Sequence, residues 1–404
     1  MGTHHHRHAA PPPMWRSWRS ALFFIIPAGL VTLTAMIWLW PPDVSGPEQT
    51  GIPGRTFGVI MVMDSEPCPD QIGANNSGCG TALVQITSGP DKGEDITVDL
   101  SGRTASTKFA EGDEVVLTHQ DEPGDGLYAI VDHQRSNQLW MLGAAFVLAV
   151  IAFGRWRGLT ALAGLAVTFV VLLLFVVPAI LAGKPPLLVA IVGSAAIMLT
   201  VLYLTHGFTR STSVAVVGTL ASLTLTGLLS AAAVAATHLS GVADEQSAYL
   251  GVTHNVNMQG LLLAGILIGS LGVLDDVTVT QAATVTELAH ANPAYRFMQL
   301  YRAATRVGRA HIASVINTII LAYAGASLPL LVLIDANNRA VGEILTNQII
   351  AQELVRSAVG TLGLIAAVPI TTALAAYTAS RTGTVAAVTE RRPETHRGLA
   401  PRRS

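Results

Sequence analysis

The sequence predicts an α-helical polytopic membrane protein of about eight transmembrane helices, with a small β-barrel-like domain of the OB type inserted between the first two. Three observations predict it. Half of the 404 residues are hydrophobic and 12% are charged, against about 25% charged in an average soluble domain. Several windows of roughly 20 residues carry no charge at all, the length that crosses a bilayer. One hydrophilic block, residues 41–138, interrupts this pattern. Mean hydropathy is +0.49, and the near-neutral net charge of −2 gives no reason to expect nucleic acid as a partner.

The expected spans are 21–40, 139–154, 159–182, 186–205, 212–236, 258–278, 312–333 and 352–377. Basic residues mark alternate connections. Arg16 and Arg19 precede the first span, Arg155 and Arg157 follow the second, and Arg210 follows the fourth. Arg296, Arg302, Arg306 and Arg309 follow the sixth, and Arg381, Arg391 and Arg392 begin a basic stretch after the last. Lysine and arginine accumulate on the cytoplasmic side, so both termini are expected inside and 41–138 outside a bacterial plasma membrane. Residues 1–20 then form a cytoplasmic tail. The first span, 21–40, ends in "WLWPPD" without a small-x-small cleavage site, and reads as a signal anchor. Residues 139–377 form a seven-helix membrane domain, and 378–404 a basic, disordered tail drawn to anionic headgroups.

The exported block begins with a Pro/Gly linker. Five short runs follow with strand character: "FGVIMVM", "TALVQIT", "ITVDL", "DEVVLTH" and "LYAIVDH". That number of strands in about 80 residues predicts a small OB-type barrel. It has no charge clustering or aromatic platforms for nucleic acid. Both cysteines, Cys68 and Cys79, lie here with no neighbouring histidine, so a disulfide is expected and zinc is not. No metal and no cofactor is expected anywhere in the chain.

In the membrane block, "LAGLAVTF" and "VGTLASLTLTGLLSAAA" read as small-residue packing surfaces. The sixth span is different: it reaches Asp275 and Asp276 and then continues as "VTVTQAATVTELAHA", without Gly or Pro until Pro293. The helix is therefore expected to run on. Asp276, Thr280, Thr284 and Glu287 then share one face, with Asp275 and Gln281 beside it. Either these aspartates lie at headgroup level, or they face a polar cavity, as intramembrane charges generally do. Asn317 near the start of span 7 is a further candidate for that cavity. Glu353 and Arg356 open span 8 and can pair at i, i+3, and Pro369 is placed to kink that span. Arg306 and Arg309 are candidate charge partners of the aspartates.

Four ordered segments carry a resemblance: "THGFTRSTSVAVVGTL", "GLLLAGILIGSLGVLDDVTVTQAATVTEL", "VGRAHIASVINTIILAYAGASLPLLVLI" and "VRSAVGTLGLIAAVPITTALAA". Together they resemble the YibE/F family of bacterial multi-pass membrane proteins over roughly 139–377, and "ITSGPDKGEDITVDL" is similar to the family's small extracytoplasmic domain. The resemblance implies a protein described as uncharacterised or as a transporter without an agreed substrate. Many relatives carry a single Asp in a Gly-x-Met-Asp-Val-like sequence. Asp276 matches that Asp in "GVLDDVTV", and Asp275 is the addition.

Two functions remain open on the sequence. The first is a permease or efflux component for an ion or small solute. The second is a non-catalytic scaffold, sensor or accessory subunit whose outer domain binds a partner. An enzyme is not expected: "HNVN" and "GRAH" supply neither a serine–histidine pair nor His-Glu-x-x-His, and there is no Walker A motif. The partners expected are the bilayer, the solute or ion and, as an open arrangement, further copies of the chain in a homo-oligomer.

Overall fold

Residues 15–41, 56–66, 79–89, 91–100, 109–119, 128–243, 245–336 and 341–390 are described by a computed structural model. The chain divides into two units, 43–159 and the remainder. In the first, alternating apolar residues form five antiparallel strands: β1 (Thr56–Glu66), β2 (Cys79–Ile86), β3 (Asp95–Leu100), β4 (Glu114–His119) and β5 (Tyr128–His133). These are the five runs picked out by their strand character.

The sheet order is β3-β2-β1-β4-β5. The sheet curls around one apolar core that includes Ile60, Val84, Val98, Val115, Leu117 and Ile130. A bulge between Ile60 and Val62 lets the long β1 bend. Gly58 sits where β2 and β4 close in from both sides, and a Cβ there would meet Val84 and Leu117 at once. No hydrogen-bonded ladder joins the edge strands β3 and β5 among the described residues, so the structure shows a curled sheet where the sequence predicts a barrel. Cys79 opens β2, whereas Cys68 lies outside the described residues, and with it the expected disulfide.

The second architecture is helical. It comprises α1 (Trp15–Leu39), α2 (Ser136–Val171), a π-helical turn at Leu172–Val176, α3 (Val177–Leu181), α4 (Pro186–His206), α5 (Arg210–Ala236), α6 (Glu245–Thr253), α7 (Met258–Ala291), α8 (Phe297–Ala326), α9 (Leu328–Ala336), α10 (Val341–Thr346) and α11 (Gln348–Glu390). Six helical segments among the described residues are long and apolar enough to cross a membrane. The first of these, Ser136–Leu181, is not one rod. Arg155 takes φ 49°, ψ −127°, outside helical geometry. Gly158 then packs against the backbone of Val150, whereas eight residues of straight helix would separate them by about 12 Å. The chain turns back at the arginine-bearing break expected between spans 2 and 3.

Two boundaries differ from expectation. The segment expected as one span over 312–333 is interrupted: α8 ends at Ala326, Ser327 caps it and α9 restarts at Leu328. Pro329, which lacks an N–H, suits the first turn of a new helix and not the interior of an old one. At the other end, α11 continues to Glu390 and so enters the stretch assigned to a disordered tail. No proline interrupts it before Pro393, and "ASRTGTVAAV" is rich in alanine.

Helices α5, α7 and α11 form the centre of the block. α7 and α11 run parallel, and α5 runs antiparallel to both, as the pairings below show. Their shared apolar core includes Leu223, Leu267, Leu274, Val277, Leu364 and Val368. α7 is capped by the Asn257 side chain, which accepts from the Gly260 N–H at 2.7 Å. It runs unbroken through both aspartates to Ala291, as the absence of Gly or Pro in that stretch requires.

Candidate functional site

The centre of the block carries polar side chains that are fully buried. On α5 these are Thr219, Ser222, Thr226 and Ser230, spaced 3, 4 and 4 residues apart and hence on one face. Ser270, Thr278 and Gln281 on α7 and Thr371 and Thr372 on α11 meet them. Most of the hydroxyls donate back to their own helix, Ser222 to the Gly218 carbonyl at 2.8 Å and Ser230 to that of Thr226 at 2.7 Å. Such bonds satisfy a buried hydroxyl without a second helix.

Three contacts do cross between helices. Thr219 and Thr278 share a hydroxyl–hydroxyl bond of 2.6 Å. The Gln281 amide donates to the Ala304 carbonyl at 2.9 Å and to the Thr372 hydroxyl at 2.8 Å, tying α7 to α8 and α11. Glycines make room for these groups. A Cβ on Gly218 would strike Thr371, one on Gly363 would strike Thr226, and one on Gly308 would strike Gln281. This seam is the small-residue packing expected of helices in lipid, with hydroxyls in the contacts.

Thr371 Oγ1 in this seam lacks a partner, and beyond it Asp275 stands out. Asp275 is partly buried, and its Oδ1 is shielded from solvent with no hydrogen-bond partner. The α7–α8 register follows from two contacts. Gln281 bonds to the Ala304 carbonyl. Val273 and Leu274 line one small cavity with Ile319 and Tyr323. Asp275 lies between these levels but a third of a turn round α7 from Gln281, on the side of Leu271 and of Thr278, which bonds to α5. His311 Nε2 is likewise buried without a partner. The small cavity is about 20 Å³ and also includes Ser270 and Gly360 in its lining, but neither Asp275 nor His311. That is enough for one water.

The other sequence candidates fall elsewhere. Asp276, Thr280 and Glu287 are exposed and Thr284 is half-buried, so the stripe points away from the bundle core and encloses no cavity within the chain. Asn317, Arg306 and Arg309 are exposed on α8. Among the described residues, neither arginine pairs with an aspartate. Glu353 and Arg356 pair at 3.6 Å, half-buried near the start of α11. They are far from Asp275, because the pairings of Gln281 with Thr372 and of Leu274 with Leu364 place Asp275 beside Ile365. No group of three or more His, Cys, Asp or Glu suited to a metal occurs among the described residues.

Sequence reasoning passed over His311 and the interhelical threonines. For the threonines a signal existed, in the regular polar spacing along a span without charges. The burial of His311 Nε2 on α8 has no counterpart in any local motif.

The fold and the buried polar groups define a helical membrane protein with a small β-sheet domain and a partly buried carboxylate within one of its central helices. The chain belongs to the YibE/F-like protein family, whose model matches residues 142–381, more than half of its length. No curated protein and no solved structure matches it.

Proposed function

We propose that this protein is a permease for protons or small inorganic cations, with Asp275 as the group that holds the cargo inside the helical block. The observation that carries this reading is the Asp275 oxygen, buried and unbonded within a membrane-length helix. An uncompensated buried carboxylate is costly, and a proton or cation that neutralises it offsets the cost. Intramembrane charges are rare and mark ion pathways. Asp276, the residue matched by the family resemblance, is on this reading an accessory charge at the mouth.

The same reading assigns the chain to a bacterial plasma membrane with both termini inside, α1 as a signal anchor and the sheet domain outside. The domain is then a partly open OB-type barrel, a reading supported by its five antiparallel strands curled around one core, and Cys68–Cys79 is its disulfide.

The test is flux through liposomes containing the purified protein, across protons and a panel of monovalent and divalent cations. Asp275→Asn is expected to lower flux by about 100-fold or more, and Asp276→Asn by less than about tenfold. Wild-type flux equal to that of empty liposomes for every ion, or full flux in Asp275→Asn, overturns the proposal.

A further inference from the structure

The exposed surface of most of this helical block is what lipid requires: Phe146, Leu148, Phe153, Leu173, Leu188 and Leu228 all point outward. One face breaks the rule. The exposed positions of α7 recur every three or four residues and include Gly272, Asp276, Thr280, Ala283 and Glu287, with no large apolar side chain among them. On α8 the exposed positions include Ala310, Ala313, Ser314, Asn317 and Thr318, alongside the apolar Val307, Ile320 and Leu321. Asp276 and Asn317 lie within the expected spans 258–278 and 312–333, where a carboxylate or amide left against hydrocarbon is costly, whereas small and polar residues are what helix–helix contacts in membranes use. The face is built to be covered by helices.

Its charges say by what. Asp276 and Glu287 are exposed on α7, Arg302 and Arg309 are exposed on α8, and none of the four makes an ion pair among the described residues. The antiparallel register set by Gln281 and Ala304 puts opposite signs at matching depths. Asp276 precedes Gln281 by five residues and Arg309 follows Ala304 by five. Glu287 is about 9 Å beyond Gln281, a level within an arginine's reach of Arg302. A two-fold axis along the membrane normal preserves depth. It therefore lays the acidic stripe of α7 on the basic stripe of α8 in a second copy, twice over.

We propose that this protein is a homodimer in the membrane, joined through α7 and α8 as a four-helix contact. In it, Glu287 of each copy meets Arg302 of the other, Asp276 meets Arg309, and Asn317 is held between the helices. The surface is self-complementary, so one occupant satisfies both signs at once. This inference stands whether or not the protein transports an ion.

The experiment counts copies by single-molecule photobleaching of the full-length, labelled protein in liposomes at decreasing protein density. Wild type is expected to bleach in two steps at densities where Glu287→Arg and Arg302→Glu, each about tenfold weaker in association, bleach mainly in one. The double variant E287R/R302E is expected to regain two steps. Thr280→Trp places a bulky ring on the same exposed face and is expected to separate the copies without lowering the melting temperature. Leu228→Ala, on an ordinary apolar surface, should leave pairing unchanged. One-step bleaching of wild type at all densities means that another protein or another segment of this chain covers the face, and overturns the dimer. So does a count above two, or single charge reversals that fold and still pair.

Discussion

The sheet domain and the helical block solve the same problem, how to bury a core, with opposite materials. Of the fourteen buried polar or charged residues described, only Thr56 belongs to the sheet, and the other thirteen lie in the helices. The sheet hides Val, Ile and Leu and leaves Asp, Glu and Gln at its surface. The helices bury Ser, Thr and Gln among Leu, Val and Ala, and leave further Leu and Phe outside. In water, removing apolar surface drives folding. Between lipid and a helix interior that force is nearly absent, and close backbone approach with hydrogen bonding takes its place. A substitution should therefore have a different consequence in each region.

The largest expected effect is steric and tests whether close approach holds the helices together. Gly363→Leu drives a branched side chain into Thr226 on α5 and should cost about 3 kcal/mol or more. Gly363→Ala costs less, and pairing it with Thr226→Ala should recover most of the loss. Hydrogen exchange reads this, because it resolves the two regions separately. Equal protection in Gly363→Leu and wild type would show that the glycine contact is incidental.

Next comes a pair of near-isosteric swaps that puts the comparison directly at risk. Val84→Thr places a hydroxyl in the fully apolar sheet core and should cost about 1–3 kcal/mol. Thr226→Val removes a hydroxyl that bonds only to the Ser222 carbonyl of its own helix, and should cost less than about 1 kcal/mol. Equal costs in the two regions would erase the distinction. Gln281→Leu sits between them, at about 1–2 kcal/mol, because it removes both bonds of the amide that joins α7 to α8 and α11.

Much of this arrangement can be read from residue order. The five strands follow from alternation and turn residues, and the charge-free windows mark the long helices. The continuity of α7 through Asp275 and Asp276 follows from the lack of a helix breaker before Pro293. The orientation of its stripe does not follow. Helical spacing puts Asp276, Thr280 and Glu287 on one face, but whether that face turns inward is set by α4, α5 and α11, which claim the other sides of α7. Residue spacing favours Asp276, yet packing buries an oxygen of its neighbour Asp275. In a core filled by hydrophobicity, the polar stripe would reliably be the outer one. Here both faces of α7 carry polar residues, so periodicity could not choose between them.

The smallest expected effect concerns a polar contact at the rim of the sheet domain, where water weakens what the helical seam keeps strong. The Tyr128 hydroxyl donates to the Asp91 carboxylate. That bond, followed by partial burial and the nearby charges of Asp91 and Glu94, holds the phenol above its usual value of 10.0. A folded-state pKa raised above the unfolded one contributes stability that is fully present below pH 10 and lost as pH climbs through the folded value. The contribution is under about 1 kcal/mol, because the contact lies near solvent. Replacing Tyr128 by Phe should therefore lower the sheet's stability slightly at neutral pH and flatten its decline above pH 10. The difference in phenolate absorbance between wild type and Tyr128→Phe isolates the titration of this one tyrosine in the full-length protein. A midpoint at or below 10 would mean that the hydroxyl is free in solution, and that the sheet's surface hydrogen bonds lack even the modest strength assigned to them here.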